Sequence, residues 1–344
     1  MHLVLDPAQE FVHDEWLRRT PGAYEWWYFD ALSDCGHYAL TCIWFLGNPF
    51  SPYYRLASSG QPADPFQHNA LFFALYRDGR LEAYHFSRFP LSQIKMDDGL
   101  TFGPNRLAMT RPGVWTMALH DENGNGRVLD ARLTFSAPPL QTSIAEAFTT
   151  DVGHAWLPIA PACSVQAMIT LREVQNLSTV PIQFQGTGYH DHNWGQLPFD
   201  HDIRDWYWAR ASFEGGKAAI LYHVRPRHGK SAKSHFLLFE QGRMTLHDPS
   251  PHVRLSRTRI NGFGTVYASR LVCRSGSVFA QFDFGTRLDS APFYLRALCT
   301  AALREDNQET NQAQTGQGIG EYLKPAMMSR LLVASAMKAR IVER

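Results

Sequence analysis

Apolar and polar residues alternate at period two along most of this chain, in short runs punctuated by Gly, Asn, Asp and Pro. Residues two apart share one face of an extended strand, so this rhythm specifies half-buried β-strands rather than helices. Clear runs cover residues 36–46, 164–171, 182–192, 234–240, 253–257, 265–272 and 277–284. Residues 70–76 and 81–86 flank Arg77-Asp78-Gly79-Arg80, where Asp-Gly supplies the positive φ angles that a tight hairpin turn needs. Residues 114–120 and 128–135 flank Asn123-Gly124-Asn125-Gly126, and residues 206–213 and 218–224 flank Glu214-Gly215-Gly216-Lys217. Strands at this spacing, with no helical segments between them, specify an all-β antiparallel barrel or sandwich and exclude a doubly wound α/β sheet. The exceptions come late. Residues 304–320, rich in Gln and Asn, read as a loose connection. Residues 321–344 read as a helix with Met328, Leu331, Leu332 and Met337 apolar and Lys324, Arg330, Lys338, Arg340 and Arg344 basic. Such a helix either closes the end of a barrel or lies on a membrane surface.

A chain of 344 residues is long enough for two domains. Its 33 Lys and Arg against 32 Asp and Glu leave a net charge of +1, which gives no electrostatic footprint for nucleic acid. At 13% aromatic, with Trp 9, Tyr 13 and Phe 22, the rings need large apolar surfaces to sit against, in a core or around an apolar ligand. The five cysteines (Cys35, Cys42, Cys163, Cys273, Cys299) are odd in number and form no C-x-x-C pair. They specify neither a disulfide framework nor a zinc ribbon and fit a reducing, cytoplasmic compartment. The N-terminal residues carry no secretory pattern, and no apolar run of about eighteen residues suits a membrane-spanning helix.

Several chemistries are excluded by motif. There is no G-x-S-x-G elbow, no H-E-x-x-H and no G-x-x-x-x-G-K-[ST], and Gly186-Thr187-Gly188 lacks the third glycine and following helix of a dinucleotide loop. No cofactor is expected. The densest polar constellation is Gly188-Tyr189-His190-Asp191-His192-Asn193-Trp194-Gly195. On a strand, His190, His192 and Trp194 point one way and Tyr189, Asp191 and Asn193 the other. His190 and His192 supply half of a metal site, but no third and fourth ligand stands nearby, so no metal is expected. The segment is then either a polar cluster holding a strand junction or a proton-transfer and substrate-orienting site. Glu25-Trp26-Trp27-Tyr28-Phe29-Asp30 is apolar on both strand faces, and Asp205-Trp206-Tyr207-Trp208-Ala209-Arg210 repeats the theme with Trp206 and Trp208 co-facial. Such rings fill a core, or they bury an apolar ligand and stabilise a developing carbocation with their negative faces.

Taken in order, these segments resemble the carotenoid 1,2-hydratase (hydroxyneurosporene synthase) family and, more loosely, lipocalin-like Diels–Alderases. The resemblance rests on residues 25–34, 50–54, 63–68 leading into 74–76, 154–161, 188–195, 206–211 and 291–296. It implies two tandem lipocalin-like antiparallel β-barrel or sandwich domains, over residues 15–198 and 199–315, with the C-terminal helix over 321–344. It also implies an apolar, aromatic-lined cavity and cofactor-free, acid-catalysed addition of water to a terminal C=C of a long polyene. The family's His-x-Trp pair looks like His192 and Trp194, and its tyrosine looks like Tyr222 in Leu221-Tyr222-His223-Val224. The family's aspartate after that tyrosine is missing, because His223 and Val224 follow Tyr222.

Asp191 is the nearest substitute acid, with Asp205, Asp30 and Glu25 behind it, and burial would raise its pKa into a useful range. His223 as imidazolium is opposed by burial. The expected catalytic residues are therefore Asp191, His192, Trp194 and Tyr222. Trp27, Tyr54, His190, Trp206, Trp208 and His223 are expected to contact a hydrophobic polyene or isoprenoid. Two other readings stay open: a cyclase or pericyclase that preorganises a polyene, and a carrier that stores an apolar ligand unchanged.

Overall fold

The computed structural model describes residues 11, 14–60, 63–138, 148–149, 154–173, 179, 181–197, 203–227, 231–305 and 313–344. The chain divides into two compact units, Met1–Pro198 with Ala334–Arg344, and Phe199–Val333. Both are built on antiparallel sheets, as the alternation requires.

The first unit contains β1 (Ala23–Ser33), β2 (Tyr38–Leu46), β3 (Asn69–Arg77), β4 (Arg80–Phe89), β5 (Ile94–Met96), β6 (Leu100–Phe102), β7 (Asn105–Arg111), β8 (Val114–Glu122), β9 (Arg127–Ser136), β10 (Phe148–Thr149), β11 (Ala155–Glu173) and β12 (Ile182–Gln196). Two helices, α1 (Asp14–Arg19) and α2 (Pro52–Gly60), flank its first strands. The second unit contains β13 (Ile203–Phe213), β14 (Lys217–Pro226), β15 (Lys233–Glu240), β16 (Arg243–Asp248), β17 (His252–Ile260), β18 (Val266–Ser275), β19 (Val278–Ala291), β20 (Tyr294–Glu305) and β21 (Gln314–Leu323). The chain ends with α3 (Leu331–Lys338) and β22 (Val342–Glu343).

Both sheets follow one plan. Three strands run out in succession from the first strand of each unit, and β12 or β21 pairs with that strand's other edge. The orders are β22-β4-β3-β2-β1-β12-β11-β9-β8-β7-β6-β5, with β10 beside β11, and β16-β15-β14-β13-β21-β20-β19-β18-β17. This shared order is a tandem repeat of architecture that no sequence period reveals. The Asp78-Gly79 turn has positive φ at both positions (50° and 73°), as the β3–β4 hairpin demands.

The first sheet curls round its core. His85 and Ser87 on β4 donate to Asp121 on β8 (3.2 and 2.8 Å), although six strands stand between β4 and β8 in the order. The enclosed core draws Trp27 and Phe29 from β1, Phe73 from β3, Leu119 from β8 and Val165 from β11. β22 returns to pair in parallel with β4, and the Arg344 guanidinium reaches Asp121 Oδ1 at 2.9 Å. Burial alone would raise the Asp121 pKa, but His85, Arg344 and Ser87 hold it below the ordinary carboxylate value. Arg344→Ala should therefore cost about 1–3 kcal/mol in urea unfolding at neutral pH. The difference should shrink as pH falls below about 4 and Asp121 takes up its proton; a gap unchanged at low pH would refute the latch.

Two sequence expectations need correction. Arg304 and Glu305 end β20 and Gln314–Gly320 belongs to β21, rather than to a loose connection, while residues 306–312 lie outside the described set. The reason is glycine: Gly316, Gly318 and Gly320 leave one face of β21 bare, which erases the alternation. A Cβ at Gly318 would stand 1.8 Å from the Arg210 carbonyl oxygen of β13. The C-terminal helix is eight residues rather than the whole of 321–344. Glu321–Leu323 completes β21, and Pro325 opens a separate helical turn over Pro325–Ser329. Met328 and Met337 are buried, whereas Leu331 and Leu332 are 84% and 86% exposed. Among the described residues no helix is long and apolar enough to cross a membrane.

Candidate active site

The eleven residues of β1 are all buried, and β12 runs antiparallel beside it with Tyr28 opposite Asp191 and Trp27 opposite His192. Alternation therefore sorts the polar segment of β12 onto two faces, and its geometry follows the parity expected from sequence.

The inner face looks into the core of the first unit. His192 Nε2 lies 2.6 Å from Glu25 Oε1, with both side chains fully buried. Trp27 stacks on the His192 ring at 4.6 Å, and Trp194 tilts against it at 5.0 Å. His190 stacks on Phe29 at 3.8 Å and donates from Nδ1 to the Tyr28 carbonyl at 3.0 Å, which fixes its tautomer. His192, Trp194, Trp27 and His190 are thus brought together, and Glu25 joins them.

The opposite face carries Asp191. Its Oδ2 accepts from Tyr189 Oη and Trp156 Nε1, both at 2.8 Å, and its Oδ1 accepts from Asn193 Nδ2 at 2.7 Å. Burial raises the carboxyl pKa to about 7 against the pull of these donors and of His190. Tyr28 donates to Asp30 at 3.1 Å beside it. One register row leads away from Asp191 across four neighbouring strands: Tyr28 on β1, Ile43 on β2, Phe72 on β3 and Phe86 on β4. Phe72 meets Phe86 edge-on at 5.6 Å, Phe86 lies 6.3 Å from Phe45, and Phe45 lies 6.2 Å from Trp26. Asp191 and His192 therefore serve opposite faces of one strand and cannot address the same reacting atom.

Tyr54 braces the fold instead of facing either cluster: its hydroxyl donates to the Ala23 carbonyl at 2.5 Å and its ring stacks on His68.

In the second unit, Trp206, Trp208 and Tyr222 share one face of the β13–β14 pair. His223 takes the other face, where it meets Ser234 Oγ at 2.7 Å, and burial lowers its pKa to about 4. It is neutral at physiological pH and no proton donor. Asp205 is held by Arg225 at 2.5 Å. Glu321 stands on the face of Tyr222, opposite Trp208 on β21 and bound by Arg296 at 2.8 Å, and the same register row continues to Asp289 on β19.

Sequence reasoning missed Glu321 because the glycines before it hide the strand. It also missed Trp156 and Tyr189 as partners of Asp191. The alternation of Tyr189 with Asp191 was a usable signal, whereas Trp156 is brought in only by the pairing of β11 with β12.

A family profile described as Carotenoid hydratase CrtC matches residues 42–334. A curated relative from Thiocapsa roseopersicina, named acyclic carotenoid 1,2-hydratase, is 33% identical over 87% of this chain and 69% of its own. One from Chlorobaculum tepidum, named hydroxyneurosporene dehydrogenase, is 29% identical over 96% of this chain and 90% of its own. Kievitone hydratase from Nectria haematococca shares the fold with a TM-score of 0.58 and 12% identity, over 90% of this chain and 91% of that one. With a profile spanning most of both units and relatives aligned along nearly the whole sequence, the chain belongs to the carotenoid hydratase family of hydro-lyase enzymes.

Proposed function

We propose that this protein adds water across the terminal C=C of a long acyclic polyene of the carotenoid kind, with Asp191 as the proton donor and no cofactor. The observation that carries this reading is the row Asp191–Tyr28–Ile43–Phe72–Phe86. An acid that keeps its proton up to about pH 7 stands at one end of a largely ring-lined strip. Four strand spacings make the strip about 19 Å long, the dimension of an extended apolar chain.

In the reaction the Asp191 proton passes to the less substituted alkene carbon, the π bond breaks and a tertiary cation forms. The faces of Tyr28 and Trp26 stabilise that cation. Water adds its oxygen to the cation, and its surplus proton returns to the Asp191 carboxylate, so one carboxyl serves as acid and then as base. Among the curated relatives, the name acyclic carotenoid 1,2-hydratase supports the substrate class. In the second unit, Trp206 and Trp208 stay in the proposal as polyene-contacting residues and Tyr222 as a catalytic candidate, with Glu321 a carboxylate of their face. The exposed Leu331 and Leu332 beside Arg330 support contact of α3 with an anionic bilayer surface.

A second reading is favoured by the buried Glu25–His192 contact: the imidazole of His192, held by Glu25 and flanked by Trp27 and Trp194, would be the proton donor on the inner face.

The test of hydration is incubation with acyclic carotenoids in ¹⁸O-water. The expected product is a tertiary alcohol carrying the label. An isomer of unchanged mass would instead mark a cyclase, and recovery of unaltered polyene a carrier.

A further inference from the structure

We propose that the transferable proton of Asp191 sits on Oδ1, and that Tyr189, Trp156 and Asn193 are positioning residues that reserve that single place for it. The inference rests on the reading of Asp191 as proton donor. A carboxyl group offers four lone-pair positions, two on each oxygen. Oδ2 has both filled, by Tyr189 Oη and by Trp156 Nε1. Oδ1 has one filled, by Asn193 Nδ2. Among the described residues these three are the hydrogen bonds of the group, so the one open position is the second lone pair of Oδ1.

The donor directions are fixed independently. An indole N–H can only donate. Trp156 Nε1 also lies 3.3 Å from Tyr189 Oη, the longer arm of the one N–H it shares with Oδ2, and the Tyr189 hydroxyl donates its own hydrogen to Oδ2. The neutral acid therefore cannot easily place its proton on Oδ2, where two hydrogens already point. The titratable groups around Asp191 are Tyr28 and Asp30 on β1, and Tyr189 and His190 on β12. β11 places Pro158 opposite Asp191 and His154 lies just ahead of that strand, against Tyr24 and Trp26. His154 is neutral, its pKa lowered to about 3 by burial. Of the side chains that contact the carboxyl directly, Trp156 and Asn193 cannot titrate, and Tyr189, whose pKa is pushed up, stays a phenol.

The experiment is a pH titration of the substrate-free full chain labelled with ¹³C-carboxyl aspartate, the Asp191 resonance being the one lost in Asp191→Asn. Each donor favours the anion. Tyr189→Phe and Trp156→Phe should each move the midpoint upward from about 7 by about one pH unit or more. The falling limb of the hydration rate should move with it. Tyr189→Phe also opens Oδ2 to the proton, so kcat on the acid plateau should drop by up to about two-fold as the proton is shared between two oxygens that each keep one donor. A purely packing role would lower yield or rate and leave the midpoint in place.

Midpoints within a few tenths of wild type in both folded variants would overturn the proposal. If Trp156→Phe fails to fold, Tyr189→Phe alone decides. Full hydration by Asp191→Asn would overturn the donor reading instead, a result distinct from an unmoved titration.

Discussion

Asp191→Asn is expected to abolish formation of labelled alcohol, with kcat lowered by about 10²–10⁴-fold while the protein stays folded. The amide keeps an oxygen for the Tyr189 and Trp156 donors but has no proton acidic enough to transfer to an alkene. The variant also carries a signature in stability. Because the folded-state pKa is raised to about 7, the native protein holds a proton that the unfolded chain has lost above about pH 4. Wild-type stability should therefore fall as pH rises from about 4 to 7, and Asp191→Asn should lack that slope. Glu25→Gln is the companion experiment. Loss of hydration in Glu25→Gln together with a wild-type rate in Asp191→Asn would move the chemistry to the inner face and to His192.

Gly318→Ala is expected to destabilise the second unit by about 3 kcal/mol or more. The added Cβ would meet the Arg210 carbonyl oxygen at 1.8 Å and the Ala211 Cα at 2.8 Å, both backbone atoms of β13. No side-chain rotation can relieve such a contact, so β13 and β21 must separate. Gly262→Ala is the matched control, since nothing lies within 4 Å of its Cβ position, and its change should stay within about 0.5 kcal/mol. Equal urea midpoints for the two variants would refute this account of the close approach.

The strands that carry alternating side chains were legible in the sequence, and so was the split of residues 189–194 between two faces of β12. Strand parity is a local property, set by the backbone alone. The partners were not legible. Glu25 reaches His192, and Trp156 reaches Asp191, only after β12 has been seated between β1 and β11. Gln314–Leu323 escaped for a different reason. Its glycines are required by the approach of β13, Phe213 and Phe284, and the emptiness they leave looks like a loop when no neighbour is known. The helix expected over 321–344 failed at Pro325 and at the strand residues before it, where the pairing of β21 with β13 and β20 outweighs local propensity.

In each unit the first strand waits for one made much later, β1 for β12 and β13 for β21. Trp27 gains its neighbour His192, and Trp208 its neighbour Glu321, only when the ribosome has reached β12 and β21 respectively. Until then, one margin of the two most aromatic segments has no partner and is a ready template for another nascent chain. Production of this enzyme should therefore be limited by what happens during synthesis, and slower translation or added holdase chaperones should raise the soluble yield more than any change that strengthens the finished core.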